Sequence, residues 1–184
     1  INSTSCKVTD VGDQLDMKIY LFDKINMCLD NARSFFANDV RCLSRLAEAI
    51  GRTDDAKYWN GIYEKTKEAI NKFLWNDTDK FYYDRRMDGT FCSVKTVSSF
   101  LPLFAGICDE KQAQYLVEHL NNPMEFGTAF PIATVSADDK TYKTMDMFRG
   151  TVWLNFNYMI AQGLSEYGFY EKAEFQGDQR DHPL

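Results

Sequence analysis

Two kinds of helical stretch alternate along this chain, and the alternation limits the folds open to it more than any other feature. From Asn31, apolar residues recur at three- and four-residue steps through Phe36, Val40, Leu43, Ala47 and Ile50. They mark one face of a helix that Gly51 ends. Thr53-Asp54-Asp55 then caps a second helix. Its buried stripe is Trp59, Ile62, Tyr63, Thr66, Ala69, Ile70 and Phe73. Its other face carries Lys57, Glu64, Lys65, Lys67 and Glu68, as a solvated face does. A third helix is predicted over residues 95–106, apolar on most sides and ended by Gly106. Asp109 caps a fourth that runs to about Leu120 and is charged on one face. A fifth is predicted over about 150–165, and a sixth begins near Phe169. Residues 1–30 read as a loop or cut end leading into the domain, because Ser, Thr, Asp and Gly dominate positions 2–16. The folded unit is then 31–184.

Buried and charged helices take turns with a period of about fifty residues. Inner helices lining a barrel, with outer helices facing water, give this pattern. The predicted fold class is therefore all-α: about three inner/outer helix hairpins, part of an (α/α)6 toroid. Long insertions fall where an outer helix returns to an inner one. In the first, Phe81-Tyr82-Tyr83-Asp84 and Thr90-Phe91-Cys92-Ser93-Val94 flank Met87-Asp88-Gly89, which reads as a small β-hairpin. The second, residues 121–147, is a long irregular stretch with Pro123, Gly127 and Pro131. It is too apolar for disorder, and loops of this length in a compact domain tend to carry function. A plain stack of helical hairpins is the competing architecture, but it leaves the hairpin and the long loop unexplained.

Composition excludes several function classes. The chain has 184 residues and a net charge of −6, and no basic run exceeds Arg85-Arg86, so a nucleic-acid partner is not expected. No run of 18 apolar residues exists, so no membrane span is predicted. The five cysteines (Cys6, Cys28, Cys42, Cys92, Cys108) are widely spaced, and only His119 and His182 could assist them. No metal site is expected, an odd cysteine count argues against a complete disulfide framework, and no cofactor is implied. The chain begins at Ile1 with no visible signal peptide, so something was removed or this is a piece of a larger protein. Asn2-Ser3-Thr4 and Asn76-Asp77-Thr78 match the glycosylation pattern, which decides nothing without a compartment, and localisation stays open.

The chemistry concentrates in Met147-Phe148-Arg149-Gly150-Thr151-Val152-Trp153-Leu154-Asn155-Phe156-Asn157-Tyr158. An ordinary core helix has no use for Arg, Gly, Trp and Asn so close together. A sugar site does: guanidinium and amides bind hydroxyls, and an indole covers the C–H face of a pyranose. The competing reading makes Trp153 core and Arg149 a surface charge. Asn155 and Asn157 lie about 200° apart on a helix, so only one can face a pocket. Asp146 is a loop carboxylate close in sequence to Arg149 and is read as the ion-pair partner that orients it. Ser136 and Asp138 can bond sugar hydroxyls or simply form a turn. Tyr82, Tyr83 and Asp84 are given packing roles on the hairpin.

Phe148 through Tyr158, followed by Gly163-Leu164 and Tyr167-Gly168, resembles the late inner helix of α/α-toroid glycoside hydrolases. The group is that of processing α-glucosidase I with its mannosylglycerate- and glucosylglycerate-hydrolase relatives; trehalases and glycogen-debranching glucosidases are cousins. Asn31 to Gly51, Leu74-Trp75-Asn76 through Phe81-Tyr82-Tyr83-Asp84, and Phe126-Gly127 through Asp138-Asp139 resemble other parts of the same fold. Two positions depart: Pro131 stands four residues past Gly127, where the family has Gly-x-Pro, and Phe148 stands where Trp is common. The resemblance implies an inverting, α-glucosidase-like hydrolase of the C-terminal-half type, with a carbohydrate substrate. It favours Asn157 over Asn155 as the residue facing the pocket. It also implies a catalytic Asp in a Gly-Trp/Met-Asp-like motif and a catalytic Glu in a Glu-Tyr-Tyr/Phe-Asp-like motif, and neither motif is present. The catalytic residues are therefore unknown, and the chain is expected to supply sugar-binding walls while its partner, the remainder of the parent barrel, supplies the acid and base. A helical-repeat interaction module and a non-hydrolytic α/α-toroid sugar-binding protein are the alternatives.

Overall fold

The computed structural model describes residues 29–86, 88–128, 132–144 and 149–177. Among these residues six α-helices follow in order: α1 (Leu29–Ala49), α2 (Thr53–Leu74), α3 (Leu101–Phe104), α4 (Glu110–Asn121), α5 (Leu154–Glu166) and α6 (Tyr170–Gly177). Among the described residues two neighbouring helix pairs pack closely. α1 packs on α2, α5 on α6, and α3 sits between α1 and α5. The short α3 is preceded by a 3₁₀ turn over Val97–Phe100, and both are fully buried except Phe104. α1, α3 and α5 thus form one contiguous row, the inner one, with α2 packed on α1 and α6 on α5.

Local chemistry explains most boundaries. α4 opens on a full capping box: Asp109 accepts from the Gln112 amide at 2.7 Å, and the Gln112 side chain accepts from the Asp109 amide at 2.9 Å. At α2 the residue before the first helical turn is Arg52, and no side chain caps the helix. Thr53 is thus already helical, which corrects the cap predicted there. α3 is far shorter than the helix predicted over 95–106, because Lys95 and Thr96 are extended and pair with another segment. α5 begins at Leu154 rather than near 150, and the residue before it, Trp153, has extended backbone. Gly163 lets α5 cross α3 at backbone contact: a β-carbon there would lie 2.6 Å from the Phe104 nitrogen.

The hairpin sits one step earlier in sequence than predicted. β1 (Trp75–Asn76) and β2 (Phe81–Tyr82) pair antiparallel, with Trp75 opposite Tyr82 and Asn76 opposite Phe81. Asn76 Oδ1 accepts from the amides of Thr78 and Asp79 and so builds the turn between them. The predicted partner run contributes a single bridge, Arg85 to Phe91, closed by Cys92 N donating to Asp84 O at 2.8 Å. Phe81 and Tyr82 are fully buried and Tyr83 nearly so, as their packing roles required. Phe81, Phe100 and Phe126 form an aromatic cluster with centroid distances of 5.4, 4.9 and 6.1 Å.

The buried face of α1 differs from the predicted one. Ala37, Val40 and Ala47 are buried, but Leu43 and Ile50 are exposed, Ile50 at 62%. Together with Leu46 they form a second apolar stripe on the opposite flank. On α2, Tyr63 and Ile70 are buried while Phe73 and Ala69 are exposed. Among the described residues, no helix is long and apolar enough to cross a membrane.

Candidate sugar site

Three extended segments lie side by side at one end of the inner helices. Thr96 bridges Val135, and Ala133 bridges Val152, both antiparallel. Val97 N donates to Thr134 O at 3.0 Å, Ser136 N to Lys95 O at 3.1 Å, and Thr134 N to Thr151 O at 2.9 Å. Residues 132–136 therefore run between the segment entering the 3₁₀ turn and the segment entering α5. Gly150 fits here because nothing larger can: its φ is +96°, and a β-carbon would lie 1.9 Å from the Tyr142 carbonyl oxygen. Its amide donates to Thr134 Oγ1 at 3.0 Å.

This wall carries most of the residues singled out from the sequence. Arg149 is exposed and lies immediately before Gly150, on the bridged segment and not on the helix. Asp139 is a near neighbour: its carboxyl is held below the usual range by hydrogen bonds from Thr141 and by the positive charges of Lys140 and Arg149. Asp146, the expected partner of Arg149, lies outside the described residues. Trp153 is half-buried against the core, with its ring 6.2 Å from Phe156. Its carbonyl accepts from the Phe156 and Asn157 amides at 3.1 and 3.2 Å and starts α5.

Asn157 is buried at 1% exposure. Its amide group donates to Ile132 O and to Trp153 O, each at 3.1 Å, and so ties the loop to the helix. Asn157, expected to face the pocket, thus holds the loop, and Asn155 is exposed. Asn157 Oδ1 and Ser136 Oγ are buried without a hydrogen-bond partner among the described residues. Ser136 also forms the turn: its carbonyl accepts from Asp139 N at 3.0 Å, which leaves Asp138 exposed at the tip.

Sequence reasoning missed a buried charged group beneath this loop. Glu125, 8% exposed, pairs with Lys95 Nζ at 2.5 Å through one oxygen and with His119 Nδ1 through the other. His119 Nε2 faces the Asp79 carbonyl oxygen at 3.0 Å, and the His119 ring lies 4.7 Å from Phe81. One ring nitrogen thus faces a carboxylate oxygen and the other a backbone carbonyl. Burial pushes the Glu125 carboxyl up, but hydrogen bonds from Lys95 and His119 outweigh it and leave the group below its ordinary range. The available signal was a lone carboxylate between Met124 and Phe126, which demands a cation if buried. Among the described residues, no cluster of His, Cys, Asp or Glu is placed to hold a metal ion.

A model of the mannosylglycerate hydrolase MGH1-like glycoside hydrolase domain matches residues 18–182. The chain belongs to this family. Mannosylglycerate hydrolase of Rubrobacter radiotolerans is 27% identical over 145 residues, covering 77% of this chain and 32% of the relative. Cytosolic neutral trehalase of Kluyveromyces lactis is 33% identical over 118 residues, covering 60% of this chain and 15% of the relative. The solved GH63 mannosylglycerate hydrolase of Thermus thermophilus, in complex with glucose, superposes with a TM-score of 0.71 at 24% identity. That match covers 80% of this chain and 36% of the other. The MGH1-like segment thus has the toroid fold predicted for it, and it spans about a third of the curated mannosylglycerate hydrolase it matches.

Proposed function

We propose that this chain is one arc of an α/α-toroid glycosidase, that it walls the sugar site, and that the acid and base come from the remainder of the barrel. The observation that carries the reading is Arg149: an exposed residue on a bridged segment, next to the Gly150 amide that donates to Thr134 Oγ1, just before α5. A planar fork of N–H donors suits a carboxylate aglycone such as glycerate, or a pair of sugar hydroxyls. Trp153 would offer its half-exposed indole as the adjoining wall. Asp138 at the turn tip would accept from sugar hydroxyls, with Asp146 orienting Arg149. Ser136 and Asn157 are buried at 1% exposure, so each would reach a sugar through a bridging water or a shift of the loop.

Hydrolysis needs two carboxyl groups across the scissile bond, about 6.5–9.5 Å apart for inversion, one of them protonated at working pH. Glu125 does not suit the acid role, because it is held ionised between Lys95 and His119. The apolar flanks of α1 (Leu43, Leu46, Ile50) and α5 (Leu154, Tyr158) support a larger barrel, since each lies on the side of its helix exposed here. The sugar is assigned no further than an α-linked glucoside or mannosylglycerate-like acid glycoside. A purified 184-residue chain should show no glycosidase turnover on either; turnover by this chain alone would overturn the division of labour.

A further inference from the structure

Lys95 and Glu125 meet twice at the base of the sugar-site loop. Their side chains form the ion pair at 2.5 Å. Their backbone carbonyls hold two consecutive loop amides: Lys95 O accepts from Ser136 N at 3.1 Å, and Glu125 O accepts from Ala137 N at 2.8 Å. The side-chain pair therefore fixes the spacing of the two carbonyls on which the Ser136–Ala137 peptide hangs. His119 extends the brace. It contacts the second oxygen of Glu125 and the Asp79 carbonyl, and so anchors the clamp to α4 and to the turn of the hairpin. Phe81 lies against the same group, with Lys95 Nζ 5.9 Å from its ring centre and the His119 ring at 4.7 Å. A lysine and a histidine on one buried carboxylate tie separate segments of the chain together. What they jointly immobilise is the loop that carries Ser136 and Asp138.

We propose that Glu125 is a positioning residue: gripped by Lys95 and His119, it sets the register of the Ser136–Asp138 turn against the segment that bears Arg149. This rests on that turn being part of the sugar wall. Loss of the grip frees Ala137 and Ser136 first, because each hangs from the backbone of a clamp residue. It leaves Thr134 in place, since Val97, Thr151 and Gly150 hold that residue independently.

The test is amide hydrogen exchange, read residue by residue by NMR on the 184-residue chain, with Glu125→Ala, Glu125→Gln and Lys95→Met. Exchange at Ser136 and Ala137 should quicken at least tenfold in Glu125→Ala and less in Glu125→Gln, while Thr134 and the α1 and α2 amides stay within twofold. Should Glu125→Ala not fold, Glu125→Gln and Lys95→Met must still loosen the same two amides. Unchanged exchange at 136 and 137, or quickening spread evenly over α1 and α2, overturns the proposal. In the enzyme that holds this chain in a complete barrel, Glu125→Gln should raise KM for a mannosylglycerate-type substrate about fivefold or more, with kcat within twofold. Loosened amides with an unchanged KM would leave the clamp standing and overturn the sugar-wall reading instead.

Discussion

Arg41 on α1 and Glu166 at the end of α5 form a two-point ion pair, Nη1 to Oε2 at 3.0 Å and Nη2 to Oε1 at 3.1 Å. Nη2 also donates to the carbonyl of Phe104 at 3.2 Å, so one guanidinium joins all three inner helices. Burial opposes the charge on Arg41, but Glu166 more than offsets it and holds the guanidinium's pKa above its ordinary value.

Arg41→Ala should therefore weaken the arc as a unit. Glu166 is 46% exposed, so water screens the pair and its share is small; the stranded Phe104 carbonyl and the lost packing add to it. The expected loss is about 1–2 kcal/mol, read as a lower urea midpoint with an unchanged slope. Arg41→Lys should recover only part, because an ammonium cannot reproduce the fork. A midpoint equal to wild type in Arg41→Ala would remove the pair from the account of stability.

Gly150→Ala should cost more than most loop substitutions. The residue has φ of +96° and a methyl group would collide with the Tyr142 carbonyl. About 2–4 kcal/mol is expected from strain plus the displaced loop. Gly51→Ala is the control: its φ is also positive, but no atom lies within 4 Å of the added carbon, so about 1 kcal/mol is expected. Equal losses in the two would mean that the close approach to Tyr142 is relieved at little cost.

Asn157→Ala should destabilise by about 2 kcal/mol, because it leaves the buried Ile132 carbonyl without its donor. The loss should appear in thermal melts and, by exchange, in residues 132–136 before α5 itself.

Acid stability should depend on Glu125. Its folded-state carboxyl lies below the ordinary range, so its stabilisation is complete above the unfolded-state carboxylate value and is lost as pH falls through the lower folded value. Its neighbours are Lys95, His119, and Tyr83, whose hydroxyl is itself pushed up, first by burial and then by Asp79, Glu125 and Asp138. Glu125→Gln should be less stable by about 2 kcal/mol at neutral pH. Its stability should then fall less steeply than wild type once pH drops below the unfolded-state carboxylate value, so that the two curves approach each other. Urea midpoints taken across the acid range check this, and parallel curves would contradict it.

The alternation of helices was legible because an inner helix and an outer helix have different solvents, and periodicity records solvent. The Asp109 cap was legible for the same reason that it works: its partner Gln112 is local in sequence. What the periodicity could not give was which apolar residues of α1 face this arc. Leu43 and Ile50 fit the helical stripe as well as Val40 does, yet only Val40 is buried, because spacing marks an apolar stripe and not what packs on it. The start of α5 was misplaced because Thr151 and Val152 suit a helix or a strand equally, and the choice is made by Thr134 and Ala133, far away in sequence. The clamp on Glu125 was invisible for the same reason: Lys95, His119 and Glu125 meet only in three dimensions. Asn157 was recognised as special, but the fold uses its amide to hold the loop.

The most direct test of the central claim is kcat/KM for a mannosylglycerate-type substrate, measured in the complete barrel with and without Arg149→Ala. If this arc walls the sugar site, kcat/KM should fall at least tenfold while the melting temperature stays within about 1 °C, a shift worth about 1 kcal/mol in a protein of that size. An unchanged kcat/KM at unchanged stability would place Arg149 outside the site and contradict the account.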